Sequence, residues 1–300
     1  MIPAAFEYVA PRAIPEALAL LQQHGDEAKI LAGGHSLIPV MKLRLATPAY
    51  LVDINRIAEL EYIREDADFL RIGALAREAD VEGSQVIRRR YPLLADASRV
   101  IADPLVRNLA TVGGNLAHAD PANDHPAVML ALEALIVATG PAGERVIPSA
   151  DFFVDSFQTA LEPVELLTEI RAPVPPARSG GAYVKLERKV GDYAIAAVAA
   201  QITLAQDGTV ARAGIGLTNV GPTAIKAVQA ASALVGQVPD EATLGRVAAL
   251  AAASAEPVSD LRGPEEYKRE MVRVLTVRAL RRALARALSA DGRSGRGTNS

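Results

Sequence analysis

The spacing of apolar residues in the first part of the chain alternates between strand-like and helix-like segments. The most regular segment, PEALALLQQH at 15–24, has apolar side chains at helical intervals, a proline at its start and Gly25 after its end. Shorter apolar runs surround it, and together they predict a β-α-β-α-β unit. The predicted strands lie at 6–9, 29–31 and 51–54, and a second predicted helix lies at 37–45.

From about residue 58 the pattern changes. Residues 62–76 alternate like two strands joined by a turn, and residues 77–97 have a helical composition. Prolines at 173–176 followed by two glycines are typical of a linker. Beyond them the pattern predicts a hairpin at 194–217 and, later, two helices, at 241–255 and 265–288.

These changes predict an α+β protein of several parts. We divide the chain at the change of pattern and at the linker, and we expect the polar, Gly-rich C-terminal residues to be disordered. The resulting segments are 1–57, 58–176 and 177–289, with a tail at 290–300.

Composition excludes several classes of function. A net charge of −3 gives no electrostatic reason to expect nucleic acid as a partner. The absence of cysteine excludes disulfides, thiol nucleophiles and Cys-ligated iron–sulfur clusters, and with four histidines we expect no metal site. No signal peptide is evident, and the apolar run at 127–138 is far shorter than the ~20 residues of a membrane span. We therefore expect a soluble, cytoplasmic protein.

Two glycine pairs are the leading candidates for a binding site. AGGHS at Ala32–Ser36 follows a predicted strand, and TVGGN at Thr111–Asn115 has the same arrangement of glycines beside hydroxyl or amide side chains. Each pair is expected to form a turn whose exposed N–H groups bind phosphate oxygens. Two such turns suggest a diphosphate held between them, and hence a large phosphorylated cofactor.

Other residues allow two interpretations each. His35 is either a solvated loop residue or a hydrogen-bond donor to phosphate. Asp124 either caps the helix that starts near Pro126 or binds a ribose or ribityl hydroxyl. Lys185 is either a surface residue of an edge strand or a cation beside a ring oxygen. Tyr193 is either a core anchor or a cover for a planar ring.

Familiar nucleotide and hydrolase motifs are missing. The chain has neither GxxxxGK[ST] nor GxSxG, which disfavours P-loop nucleotidases and nucleophile-elbow hydrolases. Gly214 and Gly216 begin a GxG pattern, but Asn219 replaces the third glycine, so we interpret them as strand glycines.

Three segments together resemble a known family. AGGHSLIPVMKLRLATP at 32–48, TVGGNLAHADPAND at 111–124 and KLERKVGDYA at 185–194 are similar to the FAD-binding medium subunit of the molybdenum hydroxylases, the xanthine dehydrogenase family, with the aerobic carbon monoxide dehydrogenase branch nearest. The resemblance implies a vanillyl-alcohol oxidase-type (PCMH) FAD-binding fold. Two subdomains, 1–57 and 58–176, would bind FAD, and a C-terminal α+β domain, 177–289, would follow.

The same resemblance implies a set of cofactor-binding residues. The first diphosphate loop would comprise Ala32, Gly33, Gly34, His35 and Ser36, and the second Thr111, Val112, Gly113, Gly114 and Asn115. Asp124 would contact the ribose or ribityl chain, and Ile101 and Leu166 would pack on the cofactor. Lys185 would lie near the isoalloxazine and Tyr193 over or beside it. The resemblance implies no catalytic acid, base or nucleophile on this chain.

The family also implies partners. A large subunit would hold the molybdenum–pterin cofactor, a small subunit would hold two [2Fe–2S] clusters, and the complex would be a dimer of heterotrimers. This chain would pass electrons from the clusters through FAD to an external acceptor, in the cytoplasm or at the inner membrane through the complex. The alternatives are a stand-alone FAD-dependent oxidoreductase of the same fold and a non-redox binding protein whose glycine pairs are only turns.

Overall fold

The computed structural model of the protein describes residues 1–294, with side chains for residues 1–289. Its N-terminal part contains a three-stranded parallel sheet in the order β1-β3-β2, packed against a helix. The elements are β1 (Glu7–Val9), α1 (Ile14–His24), β2 (Ala28–Leu31), α2 (Leu37–Lys42) and β3 (Tyr50–Asp53). The β-α-β-α-β unit predicted from the apolar spacing is therefore confirmed.

The middle part contains a five-stranded antiparallel sheet in the order β4-β5-β10-β6-β7 and a separate two-stranded sheet, β8-β9. Its strands are β4 (Ile63–Glu65), β5 (Phe69–Gly73), β6 (Leu135–Gly140), β7 (Gly143–Pro148), β8 (Phe153–Asp155), β9 (Gln158–Thr159) and β10 (Leu166–Pro173). Its helices are α3 (Glu78–Gly83), α4 (Gln85–Arg90), α5 (Pro92–Val100), α6 (Pro104–Arg107), α7 (Val112–His118), α8 (Asp124–Leu132) and α9 (Ser149–Phe152). One-turn 3₁₀ helices at Ile54–Arg56 and Ala58–Leu60 lead into it.

The C-terminal part is a four-stranded antiparallel sheet covered by helices. The sheet order is β11-β12-β13-β14, so β11 is an edge strand. The elements are β11 (Ser179–Leu186), β12 (Ala196–Leu204), β13 (Val210–Thr218), β14 (Ile225–Lys226), α10 (Val228–Leu234), α11 (Glu241–Ala253) and α12 (Glu265–Ser294). The expected α+β class is confirmed. The proposed boundaries after residues 57 and 176 stay predictions.

Small residues let the middle and C-terminal parts pack closely. A Cβ on Gly214 would lie 2.1 Å from the Ala131 carbonyl oxygen, and one on Gly216 would lie 2.0 Å from that of Ala127. Both glycines belong to β13, as predicted, and their missing side chains let α8 lie directly on the strand. Helix α8 is thereby fixed with its first residue, Asp124, beside the C-terminal sheet.

One expectation about local structure is wrong. Gly113 and Gly114 do not form a turn: they lie in the first turn of α7, and neither has positive φ. Helix α12 continues to Ser294; residues 295–300 lie outside the described residues, and the disordered tail stays a prediction. Within residues 1–294, no helix combines the length and the apolar character that crossing a bilayer requires.

Candidate cofactor-binding cleft

A cleft of about 800 Å³ lies where the three parts meet. This is large for a ligand pocket, since such pockets typically span roughly 300–1,000 Å³. Val112 does not line it, because its side chain is fully buried in the core of the middle part. The other predicted site residues all line the cleft: Ala32, Gly33, Gly34, His35, Ser36, Ile101, Thr111, Gly113, Gly114, Asn115, Asp124, Leu166, Lys185 and Tyr193.

The first glycine segment presents unsatisfied donors to the cleft. Among the described residues, no acceptor lies within hydrogen-bond range of the backbone N–H groups of residues 33–36. Gly34 has φ +76°, a conformation that side chains disfavour, and it turns the chain from β2 into α2. Ser36 precedes α2 without making a side-chain cap, so its hydroxyl is also free to bind a ligand. These donors form the kind of concave surface that binds phosphate oxygens.

The second glycine segment is built differently from the expected nest. The N–H groups of Val112 and Gly113 donate to the carbonyl oxygens of Ala76 and Ala74, both at 3.1 Å. That of Gly114 donates to Thr111 Oγ1 at 3.1 Å, and Thr111 is thus the N-cap of α7. The segment therefore offers the cleft close backbone approach and polar side chains, whereas the free amides belong to the first segment.

The two glycines of the second segment have separate roles. A Cβ on Gly113 would lie 2.6 Å from the Ala74 carbonyl oxygen, so this glycine lets α7 pack against the end of β5. A Cβ on Gly114 would meet Thr111 Oγ1 at 2.7 Å and Ala32 Cβ at 3.8 Å. Gly114 therefore keeps open the space between the two segments.

Asn115 carries an unsatisfied polar atom into the cleft. Its Oδ1 is buried and has no hydrogen-bond partner, whereas its backbone carbonyl accepts from Asn123 Nδ2 at 2.9 Å. A buried amide oxygen without a donor is costly. A ligand hydroxyl or N–H group would satisfy it.

A charged cluster lines another part of the cleft. Lys185 Nζ donates to Asp124 Oδ2 at 3.0 Å and to the Val100 carbonyl oxygen at 2.9 Å. The Tyr183 hydroxyl donates to Asp124 Oδ1 at 2.6 Å. Only 3% of the Lys185 side chain is exposed, so it is not a surface lysine, although it lies on an edge strand. Asp124 is not the helix cap either, because Asn123 occupies that position and the Asp124 carboxyl binds Lys185 and Tyr183.

Burial shifts the acidity of this cluster. Burial raises the pKa of the Asp124 carboxyl, although the Lys185 ammonium and the Tyr183 hydroxyl act in the opposite direction. Burial and the adjacent Asp124 carboxylate raise the pKa of Tyr183 well above its usual value. Tyr183 therefore stays protonated and donates a hydrogen bond to Asp124 throughout the physiological range.

A second buried pair lies directly behind the cluster. His125 Nε2 and Glu78 Oε2 are 2.7 Å apart, and both side chains are fully buried. Burial alone would lower the pKa of His125, but the charge and hydrogen bond of Glu78 outweigh it, and the pKa is raised. The positive charge of His125 is therefore stabilised next to Asp124 in sequence and in space.

Another wall of the cleft contains a strained segment held by Arg107. Ala102 adopts φ +46°, which a side chain disfavours, and Arg107 Nη1 donates to the carbonyl oxygens of Ile101 and Ala102 at 2.9 and 3.3 Å. Gly191 packs against it, since a Cβ there would lie 2.7 Å from the Ala102 carbonyl oxygen. Tyr193 is 46% exposed at the cleft, so it is not a core anchor.

The comparisons with known proteins agree over the length of the chain. A family model described as the FAD binding domain in molybdopterin dehydrogenase matches residues 4–175, and one described as the CO dehydrogenase flavoprotein C-terminal domain matches residues 181–283. This chain belongs to the FAD-binding medium subunits of the molybdenum hydroxylases. The resemblance predicted from the three segments is thereby confirmed.

Three relatives illustrate the family. The carbon monoxide dehydrogenase medium chain of Afipia carboxidovorans is 47% identical over 96% of this chain and 99% of its own length. A solved structure of carbon monoxide dehydrogenase from Hydrogenophaga pseudoflava, lacking the Mo-pyranopterin moiety, superposes with a TM-score of 0.93 at 49% identity, covering 95% of this chain and 99% of that one. Subunit alpha of the 6-hydroxypseudooxynicotine dehydrogenase complex of Paenarthrobacter nicotinovorans is 39% identical over 96% and 97% of the two chains.

The residues of this FAD-binding subunit fit an FAD molecule. The free amides of residues 33–36 suit a diphosphate, the unpartnered Asn115 oxygen suits a donor, and Lys185 supplies a cation to the cleft. Sequence reasoning missed Asn55, Arg77 and Arg107. Asn55 and Arg77 bind backbone carbonyls 23 and 32 residues away, whereas Arg107 binds carbonyls five and six residues away. The only signal that these three residues carry is a polar residue near a predicted element boundary.

Proposed function

We propose that this chain is the electron-transferring FAD subunit of a molybdenum hydroxylase complex. The observation that carries the proposal is a cleft lined both by an array of free backbone N–H groups and by a buried Lys185–Asp124 pair. Bound FAD would supply the ability to accept and release electrons, which no amino-acid side chain of this cysteine-free chain provides. The protein binds and orients the cofactor, and its charges adjust the reduction potential of the flavin.

The two glycine segments would hold the diphosphate. Residues 33–36 donate backbone N–H groups to its oxygens, and the Ser36 hydroxyl adds a further donor. Gly114 lets the cofactor approach α7 closely, and Asn115 accepts a hydrogen bond from it. Val112 is not part of this proposal, since its side chain is in the core and its N–H group is bound to Ala76.

The charged cluster would raise the reduction potential of the flavin ring. Lys185 lines the cleft with its ammonium fixed by Asp124 and by the Val100 carbonyl. A fixed positive charge in a site with little water stabilises negative charge that develops on a reduced ring. Ile101, Leu166 and Tyr193 also line the cleft and would contact the cofactor.

The division of labour with other subunits follows from composition and family. A chain without cysteine cannot ligate [2Fe–2S] clusters, so the clusters and the molybdenum–pterin cofactor would lie on a small and a large partner. Because the chain spans 99% of a relative that is itself a medium chain, we favour a subunit over a stand-alone flavoenzyme. A dimer of heterotrimers, an external electron acceptor and a cytoplasmic location, with any membrane contact made through the complex, belong to the same proposal.

Carbon monoxide is the proposed substrate of the complex, on the strength of the near-full-length likeness to carbon monoxide dehydrogenase medium chains. The test is to remove FAD from the purified complex and expose it to carbon monoxide. We expect the iron–sulfur absorbance to bleach while reduction of an added dye acceptor stops, and we expect FAD to restore dye reduction. Dye reduction at the full rate without flavin would refute the electron-transfer role of this chain. Absence of bleaching would refute only the assignment of carbon monoxide as the substrate.

A further inference from the structure

The two glycine segments touch each other through their main chains. A Cβ on Gly33 would lie 2.6 Å from the Leu109 carbonyl oxygen and 2.7 Å from Ala110 Cα. The spacing between the free amides of residues 33–36 and the start of α7 is therefore set by a direct backbone contact. We call this contact between Gly33 and residues 109–110 the seam. Carbonyl oxygens at such a seam need donors, because a buried unpaired carbonyl is costly.

Two side chains supply those donors, and the two side chains are also hydrogen-bonded to each other. Asn55 Nδ2 donates to the Ala32 carbonyl oxygen at 2.8 Å, on one side of the seam. Arg77 Nη1 donates to the Leu109 carbonyl oxygen at 2.5 Å, on the other side. Arg77 Nη2 also donates to Asn55 Oδ1 at 2.7 Å, which closes a continuous bridge between the two segments. We call this bridge the Asn55–Arg77 clamp.

Both ends of the clamp are fixed. Asn55 binds the Asp53 carboxylate through its backbone N–H at 2.9 Å and through Nδ2 at 2.6 Å, and the Tyr8 hydroxyl donates to the same carboxylate at 2.5 Å. Arg77 precedes α3 as its N-cap and forms a β-bridge with Thr111. The clamp therefore connects the end of β3 to the start of α7, and so joins the two parts that would bind FAD.

The positive charge of Arg77 is not neutralised by the groups that its guanidinium binds. The two acceptors of the Arg77 guanidinium, a backbone carbonyl and an amide oxygen, are both neutral. Arginine stays charged at every physiological pH. The nearest acidic groups in the network are Asp53, reached through Asn55, and Asp80, whose carboxylate binds the Arg77 backbone N–H at 3.3 Å. A positive charge thus lies directly behind the seam at which a diphosphate would bind.

We propose that Arg77 is a positioning residue for the diphosphate of FAD, acting with Asn55. It holds the two glycine segments at one spacing, and its charge favours an anion at the seam without touching the cofactor, since Arg77 does not line the cleft. This inference rests on the proposed function, because it requires that the cleft bind a diphosphate.

The experiment measures the FAD dissociation constant of the full chain, purified with its partner subunits and depleted of flavin, at low and high salt. The variants are Arg77→Met, Arg77→Lys and Asn55→Leu. Arg89→Met is the matched control, since Arg89 is an exposed arginine of α4. Without the clamp, the displaced glycine segments would lose at least one hydrogen bond from their amides to the diphosphate. Losing one hydrogen bond to a charged group corresponds to a roughly 10- to 150-fold weaker affinity.

We expect Arg77→Met to weaken FAD binding at least tenfold relative to Arg89→Met and to reduce its salt dependence, because a charge near the site is lost. Arg77→Lys should regain the salt dependence and part of the affinity. Asn55→Leu should weaken binding with the salt dependence unchanged.

Two results would overturn the clamp. One is an Arg77→Met affinity within twofold of the Arg89→Met control. The other is equal weakening by Arg77→Met and Arg77→Lys with the wild-type salt dependence, which would mean a purely structural role. Failure of the wild-type protein to bind FAD would instead refute the proposed function, so the two failures are distinguishable.

Discussion

Replacing Gly33 by alanine should separate the two glycine segments. The added Cβ would lie 2.6 Å from the Leu109 carbonyl oxygen, 2.7 Å from Ala110 Cα and 3.1 Å from the Thr111 backbone nitrogen. All three neighbours are main-chain atoms, so no side chain can rotate away. The segments must move apart by several tenths of an ångström to restore an ordinary van der Waals contact.

The displacement has two measurable costs. Overpacking against a fixed neighbour destabilises a fold by about 1–3 kcal/mol, which should lower the melting temperature by a few degrees. The same shift lengthens hydrogen bonds from the free amides of residues 33–36 to a diphosphate. Losing one bond to a charged group costs about 1.5–3 kcal/mol, or a roughly 10- to 150-fold weaker FAD affinity.

The assay is flavin titration of the flavin-depleted protein, followed by cofactor fluorescence, with a thermal melt of each variant. Gly83→Ala is the matched control, because a Cβ on Gly83 meets nothing within 4 Å and its φ is not positive. We expect Gly83→Ala to bind FAD like the wild type. If Gly33→Ala also keeps wild-type affinity, the placement of the diphosphate at this seam is wrong.

Three further predictions concern other parts of the cleft. Gly114→Val should abolish FAD binding with the fold largely retained, because the side chain enters the space between the segments; normal flavin occupancy with an unchanged circular dichroism spectrum would refute this placement. Lys185→Met should lower the flavin midpoint potential by roughly 20–40 mV, the equivalent of 1–2 kcal/mol for two electrons, and a redox titration showing no shift would exclude the tuning role. The raised pKa of His125 means that its stabilising contribution is complete below the unfolded value of about 6.5 and is lost as pH rises through the folded value. Urea denaturation between pH 5.5 and 9 should show this loss in the wild type and a flatter profile in Glu78→Gln; identical profiles would contradict a charged pair.

The elements best predicted from sequence are those whose signal is local. The helix Ile14–His24 and the strand Ala28–Leu31 follow directly from apolar spacing, a proline and a glycine. Helix α7 was not predicted, because two adjacent glycines disfavour a helix. Its structure depends on the Thr111 cap and on packing of Gly113 against Ala74, and tertiary contacts of that kind leave no periodic pattern.

Site residues that belong to a sequence motif could be predicted. Contacts that the fold makes between residues distant in the sequence could not. The glycine segments and Lys185 could be identified from their neighbours in the sequence. The partners of Lys185 could not, since the backbone carbonyl it binds is 85 residues away and its carboxylate partner is 61 residues away. The clamp is hidden for the same reason, because Asn55 and Arg77 bind carbonyls 23 and 32 residues distant.

The central claim is that this chain carries FAD as one subunit of a molybdenum hydroxylase. The most direct test is native purification from the source, with an absorbance scan, metal analysis and mass spectrometry of every chain present. The account predicts one FAD per copy of this chain, together with molybdenum, iron and two partner chains, the smaller rich in cysteine. Purification of the chain alone with FAD that reacts directly with a small molecule, or of the complex without flavin, would contradict it.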